Sequence, residues 1–407
     1  VELSIRHGNA SQSPVAYASY GLILCGIVGD IDAGYRFGEL ADRLLIKLDA
    51  RERFAMTTAL VQCGTRHWKE SIAGTQAVLP RAYQAGVDTG DLEYAAIALE
   101  IYCYNAYFIG KELKQTEREL HGYSQAMRNI RQERVHQLNE VYRQAILGLM
   151  GRSDDPCVLT GEAGNEDSWH ARHKAANDQS ALGELYLHKM ILLDYFGRHE
   201  DAASWADSAA ATMGALPGFV HQAVFRFHDS MVQLGRLARV AESEREALLA
   251  RVAENQTKLG AWAEHAPMNQ AHRFHLVQAE RARVAGDVER AVAEYDKAIA
   301  LAQRHGFPHE EGLSHERAAD FFIAQGRGEE AQAQLVEARY AYRQWGALAK
   351  VRDLDRRHGL VEPARKAAGA PGHAEPAAGT WRLVTSTGSL NLDLRSEEHT
   401  SELQSRQ

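Results

Sequence analysis

The chain has 407 residues, a formal net charge of −8 and a pI of about 6.2, so it carries no excess of basic charge. No basic block stands anywhere in it, which leaves no electrostatic footprint for nucleic acid. The most apolar run, residues 94 to 109, is broken by Glu100 and Asn105 and is shorter than the roughly 20 residues that a membrane span requires.

In chain order, the apolar positions step by three and four from the start, which predicts helices. A first pair is expected at 14 to 27 and 31 to 48, with Gly29, Asp30, Gly34, Phe37, Gly38, Ala41 and Leu45 as its landmarks. A second falls at about 52 to 66 and 70 to 86, closed by Ala85-Gly86, and a third at about 92 to 108 and 111 to 129. Thr89-Gly90-Asp91 reads as the turn between them, and residues 130 to 149 as a continuing helix. From 150 to 177 the rhythm lapses into Gly151, Ser153, Asp154, Asp155, Pro156, Gly161 and Gly164, the composition of a surface loop inserted between an N-terminal block, 1–149, and a C-terminal block, 178–361. Helices return at 179 to 196 and 199 to 214, and again at 218 to 235 and 240 to 265.

The clearest stretch runs from Gly286 to Gly346. Gly286, Asp287, Ala291, Tyr295, Ala298 and Gly306 are followed by Gly326, Arg327, Ala331, Leu335, Ala338 and Gly346, each after 40 residues. Gly197, Ala202 and Ala209 stand at the same offsets earlier in the chain. A fixed period of this kind marks stacked units that cannot bury their apolar faces alone. The fold expected is all-α, a right-handed solenoid of antiparallel helical hairpins with repeats of about 40 residues. The residues expected to pack one repeat on the next are Ala202, Ala209, Gly286, Ala291, Tyr295, Ala298, Gly326, Ala331, Leu335 and Ala338, the alanines where helices cross closely and the glycines where a left-handed turn ends a helix. The small and large residues from Ala279 through Ala298 resemble a tetratricopeptide repeat with lengthened helices and turns.

A last short helix is expected from Ala349 to Arg357. Residues 362–380 read as a linker rich in Ala, Gly and Pro, and 381–394 as the start of another module. Residues 395–407 break from that composition, and their first eleven look like the conceptual translation of a widely used short-read sequencing adapter. At the other end, Val1 follows no initiator methionine or signal-peptide pattern, so an internal fragment of a longer protein is expected.

Candidate chemistry is sparse. Ser314-His315-Glu316 matches the phospho-acceptor context of histidine kinases for three residues only and sits on a repeat helix. His170 with His173, His272 with His275, and His305 with His309 offer imidazole pairs, but zinc needs at least three converging ligands. Gly110-Lys111 and Gly326-Arg327-Gly328 lack the flanking residues of a phosphate loop. Trp262 and Trp345 read as packing residues between repeats. Cys25, Cys63, Cys103 and Cys157 form no CxxC pair and read as small buried hydrophobes of a reducing cytoplasm. No catalytic, cofactor-binding or metal residue is expected.

Three segments carry a more specific likeness: Tyr35-Arg36-Phe37-Gly38-Glu39-Leu40-Ala41; residues 85 to 96, Ala-Gly-Val-Asp-Thr-Gly-Asp-Leu-Glu-Tyr-Ala-Ala; and residues 262 to 351, including Ala338-Arg339-Tyr340-Ala341-Tyr342-Arg343-Gln344-Trp345-Gly346-Ala347. Together they resemble the helical-repeat region of large bacterial hybrid signalling kinases, in which a serine/threonine kinase and an AAA-type ATPase precede the repeats and a GAF sensor with a histidine kinase follows. That resemblance implies a scaffold or relay without catalysis of its own, with ATP and Mg confined to flanking domains. Its partners would be a protein segment, flanking domains of the same chain or a small effector on the concave face. The alternative is the effector-binding repeat domain of an ATPase-type transcription regulator, which a DNA-binding helix-turn-helix after the linker would distinguish.

Overall fold

The computed structural model describes residues 1–360, 381–385 and 388–392. The chain divides into two compact units, Val1–Lys350 and Val351–Gln407. Its helices are α1 (Glu2–His7), α2 (Ser13–Ile23), α3 (Ile31–Lys47), α4 (Phe54–Gly64), α5 (Leu79–Thr89), α6 (Leu92–Phe108), α7 (Leu113–Asn129), α8 (Glu133–Leu149) and α9 (Glu166–Ala175). They continue with α10 (Gln179–Tyr195), α11 (His199–Thr212), α12 (His221–Arg236), α13 (Glu242–His265), α14 (Pro267–Ala285), α15 (Val288–His305), α16 (Pro308–Ala324), α17 (Gly328–Trp345) and α18 (Leu348–His358), within which the unit boundary falls. The first unit is an all-α solenoid in which hairpins stack in sequence order. In the second, β1 (Trp381–Thr385) and β2 (Gly388–Leu392) form an antiparallel hairpin with Trp381 opposite Leu392. The linker 362–380 and the tail 395–407, with its adapter-like reading, lie outside the described residues.

One joint chemistry recurs along the array. At Gly29-Asp30, Gly90-Asp91 and Gly286-Asp287 a left-handed glycine turns the chain, and the next aspartate caps the following helix by accepting from the amide three residues on, as Asp30 does from Ala33 at 2.9 Å. Asn177-Asp178 makes the same joint with asparagine in the left-handed position, the residue that tolerates it best after glycine.

The two helices of a hairpin have different surroundings. In α15 the buried residues are Ala291, Tyr295, Ala298 and Ala302, a single stripe, and α3 and α7 are similarly one-sided. By contrast, α6, α8, α10, α12 and α16 are buried around most of their circumference, which places them inside the coil with neighbours on every side.

What surrounds them is the chain itself, from far along the sequence. A Cβ on Gly26 would lie 2.5 Å from Gly218 Cα, so the end of α2 and the loop before α12 touch backbone to backbone. Trp68 donates its indole N–H to the Gly218 carbonyl at 3.0 Å, and its ring lies 5.0 Å from that of Trp262. Asn269 of α14 donates to the carbonyls of His67 and Glu70, both at 2.7 Å, and accepts from the Ile72 amide at 3.1 Å. On the other side, Arg317 of α16 donates to the Asp194 carbonyl of α10 at 3.0 Å, and Trp345 packs on Tyr195 with centroids 5.7 Å apart. Tyr142 and His221 share a 2.7 Å hydrogen bond between α8 and α12. The coil therefore closes on itself, and its inward faces are covered by its own opposite arm.

Several expectations need correction. The second helix of the second hairpin begins at Leu79: residues 66–68 and 72–77 form 3₁₀ turns, and Pro80 sets the first turn of α5 because it lacks the N–H that an interior position must donate. Gly86 does not close that helix. It lies inside α5, where a Cβ would come within 2.8 Å of both Ala95 Cβ and the Asp91 carbonyl. α7 and α8 are separate, broken at Arg131 with φ +58°. The segment 150–177 contains α9 and is anchored by buried Cys157, Leu159 and Trp169, with Lys189 bonding the Cys157 carbonyl at 2.6 Å. It joins the blocks on either side in one compact unit.

Candidate binding cleft

The closure between α2 and α12 leaves an outward-facing cleft beside it. α2 ends in a π-helical turn, Leu24–Val28, stopped by left-handed Gly29; α11 ends in a 3₁₀ turn, Met213–Ala215. Gln222 fixes that second turn by donating to the carbonyls of Met213 at 2.6 Å and Leu216 at 3.1 Å. Between these ends and the helices α12 and α13 lies a space of about 640 Å³. Ile27, Met213, Pro217 and Phe225 form its apolar wall; Arg226, Asp229, Arg251 and Asn255 form its polar wall. Ile27 stands at the mouth with 66% of its surface exposed.

The polar wall is built around one buried carboxylate. Asp229, 1% exposed, receives Nε and Nη2 of Arg251 at 2.8 and 2.7 Å, Nδ2 of Asn255 at 2.7 Å and Nε2 of Gln233 at 2.9 Å. This side-on fork is the strong geometry of guanidinium and carboxylate. Arg251 spends its remaining Nη1 on Asp207 at 2.6 Å. Arg226, one turn before Asp229, is less well served. Its Nη1 donates to Asn255 Oδ1 at 2.9 Å and lies 3.5 Å from Glu254, whose side chain is 71% exposed. Its Nε is buried with no hydrogen-bond partner. The lining contains no Ser, Thr, Cys, Tyr, His or Lys side chain. Its chemistry is recognition of an anionic or polar group beside an apolar one.

The buried ionisable groups elsewhere serve the closure. Burial pushes the Asp194 carboxyl up, but hydrogen bonds from His199 at 3.2 Å and His228 at 2.8 Å, with the charge of Arg317, hold it far below the usual carboxylate range. Glu310 is likewise depressed against burial by Arg273, at 2.8 Å, and His272. Both acids are sealed, at 0% and 1% exposure, so they fasten helices together without reaching a ligand.

Of the residues expected to pack the repeats, Gly286 and Gly326 stand exposed at the turns inside two hairpins, with nothing within 4 Å of an added Cβ, and the other eight are buried. Ala202, Ala209, Ala291, Tyr295, Ala298, Ala331, Leu335 and Ala338 are buried at 4% exposure or less, and Gly286 and Gly326 are left-handed at φ 76° and 70°. The Tyr295 hydroxyl donates to Glu280. His315 is 7% exposed, with Nδ1 2.6 Å from Gln334 Oε1. The imidazole pairs diverge: His170 meets the Tyr186 hydroxyl at 3.0 Å while His173 is buried near Asp178, and His272 meets Glu310 while His275 meets Glu294 at 2.6 Å. His309 is buried against Trp345, whereas His305 is partly exposed. Among the described residues no group of three or more His, Cys, Asp or Glu is placed to hold a metal ion, and no helix is long and apolar enough to cross a membrane. Lys111 after Gly110 is engaged by Glu119 at 2.7 Å and the Tyr102 hydroxyl at 3.0 Å. Trp262 packs across the coil on Trp68.

No protein-family model matches the chain, and no curated protein is similar to it. The cleft residues escaped the sequence reading. Their only signal was the spacing of Arg226 to Asp229 and of Arg251 to Asn255, which puts each pair on one helix face; their convergence depends on the crossing of α12 and α13.

Proposed function

We propose that this chain is a non-catalytic helical-repeat module of a multidomain signalling protein, binding an effector or a protein segment and coupling the segments on either side of it. The observation that carries this reading is the self-closure of the coil. Contacts such as Asn269 with residues 67–72 and Arg317 with Asp194 tie distant hairpins into one body, as a relay that transmits displacement requires. With the inward faces occupied, the outward cleft at Arg226 is the place for recognition. The setting that the likeness implies, between a kinase or ATPase and a downstream sensor kinase, belongs to this proposal, with ATP and Mg held by neighbouring domains.

The test has two arms. Residues 1–360 are purified and assayed for ATP hydrolysis and self-labelling, with none expected; turnover by this segment alone overturns the reading. The segments encoded on either side in the gene are then expressed separately and titrated against it. Binding of at least one is expected, and binding of neither removes the relay.

A further inference from the structure

The two arginines of the cleft differ in one respect. Arg251 presents its Nε and Nη2 edge to Asp229 and fills it with both carboxylate oxygens. Arg226 is bonded through Nη1 alone, to Asn255 and more loosely to Glu254, and its Nε is buried without a partner. An arginine bonded through so few of its donors can take a further acceptor. Beside it stands the apolar wall of Ile27, Met213 and Phe225, and the volume of about 640 Å³ lies within the range of small-molecule sites.

We infer that the cleft binds a small carboxylic acid with an apolar body, its carboxylate on the guanidinium of Arg226, of which Nη1 alone is bonded, and its hydrocarbon against Ile27, Met213 and Phe225. A guanidinium fork suits a planar carboxylate in two parallel hydrogen bonds, the arrangement that Arg251 and Asp229 already display a few ångströms away in the same lining. The lining itself is neutral, with Arg226 and Arg251 against Asp229 and Glu254, so net charge does not recruit the acid. The guanidinium of Arg226 beside the apolar wall does. The exposed Glu254 carboxylate is the local competitor for Arg226, and it must yield when the ligand enters. This inference rests on the reading of the chain as a binding module and specifies the effector for its cleft.

The experiment titrates octanoate, with octanol as the uncharged control, into the full chain, following amide shifts or heat. Octanoate is expected to bind saturably and octanol at least about tenfold more weakly, the worth of a charge-assisted hydrogen-bonded pair. Arg226→Gln should lose about tenfold or more in octanoate affinity. Arg226→Lys should lose part of it, since the charge stays and the fork goes. Glu254→Gln, a change at an exposed side chain that leaves folding intact, should tighten binding a few-fold by removing the competitor. Absence of octanoate binding, equal binding of octanol, or indifference to both Arg226→Gln and Glu254→Gln overturns the inference. Binding of N-acetyl-leucyl-leucine but not octanoate would also overturn it, in favour of a peptide carboxylate. The flanking-segment titration is independent: it can succeed with no acid bound, which would leave the relay standing and the effector refuted.

Discussion

Glu100 on α6 shows how far single residues in this interior depart from their behaviour in water. Burial pushes its carboxyl up to about 7, against the lowering charge of Arg134, and Glu184 on α10 is raised further by burial and by Glu100 itself. An acid with a raised folded pKa adds stability at low pH that is lost as pH rises from its unfolded value near 4.5 through about 7. Buried imidazoles act with the opposite sign in the same window: desolvation lowers His188 to about 4 and His221 and His309 to about 3, so unfolding takes up protons below pH 6.5 and acid destabilises the fold. The clean measurement is therefore a difference. Urea melts of Glu100→Gln and the parent should diverge in the variant's favour as pH rises from 4.5 to 7; parallel curves would show that Glu100 is not held neutral. The thiols give a second residue-scale test. Burial raises Cys25, Cys63 and Cys157 to about 12 and Cys103 well above its ordinary value. At pH 8 the native chain should resist iodoacetamide at all four, with alkylation appearing only in denaturant; fast labelling of any native thiol would contradict its burial.

At the scale of helices and hairpins, small residues set how closely backbones approach. Ala298 and Ala338, both fully buried, belong to the one-sided helices α15 and α17. Leucine at either should destabilise the unit by about 1–3 kcal/mol through overpacking, read from the urea midpoint. If both variants melt like the parent, these crossings have slack. Gly34 in the first hairpin is a stricter case, since a Cβ there would collide with Cys25 Sγ and come within 2.7 Å of the Gly21 carbonyl. This level was largely legible in the sequence, because period, glycine joints and aspartate caps are local signals. Where local signals misled, a second local rule had priority: Pro80 delayed α5, and Arg131 in a left-handed turn divided α7 from α8. The anchoring of 150–177 was illegible, because loop composition says nothing of Cys157, Leu159 and Trp169 finding a neighbouring helix to pack on.

At the scale of the whole first unit, hairpins stacked in sequence order are also tied by contacts between residues as far as some two hundred positions apart, and no periodic pattern announces these. Asn269 is the most concentrated of them, with three hydrogen bonds to the backbone of 67–72. Asn269→Ala orphans buried carbonyls and an amide, and should cost about 2–4 kcal/mol at 1–3 kcal/mol per unmet group, partly relieved by water. Hydrogen exchange should then quicken together in α4 and α14, far apart in sequence; quickening confined to α14 would show that the arms fold independently. The cleft was invisible in the sequence for the same reason as the seam, since Ile27 and Arg226 meet only once the coil has closed. Closure also bears on how such a gene can change over generations. An open array can gain or lose a hairpin by unequal recombination, because a duplicated unit merely lengthens the stack. Here an extra hairpin between α6 and α12 would carry Gly218 away from Gly26 and Asn269 away from residues 67–72, opening the seam at several points at once. Descent should therefore preserve the number of hairpins between these points, and variation in length should accumulate in loops such as residues 238–241 ahead of α13, where the chain is largely exposed.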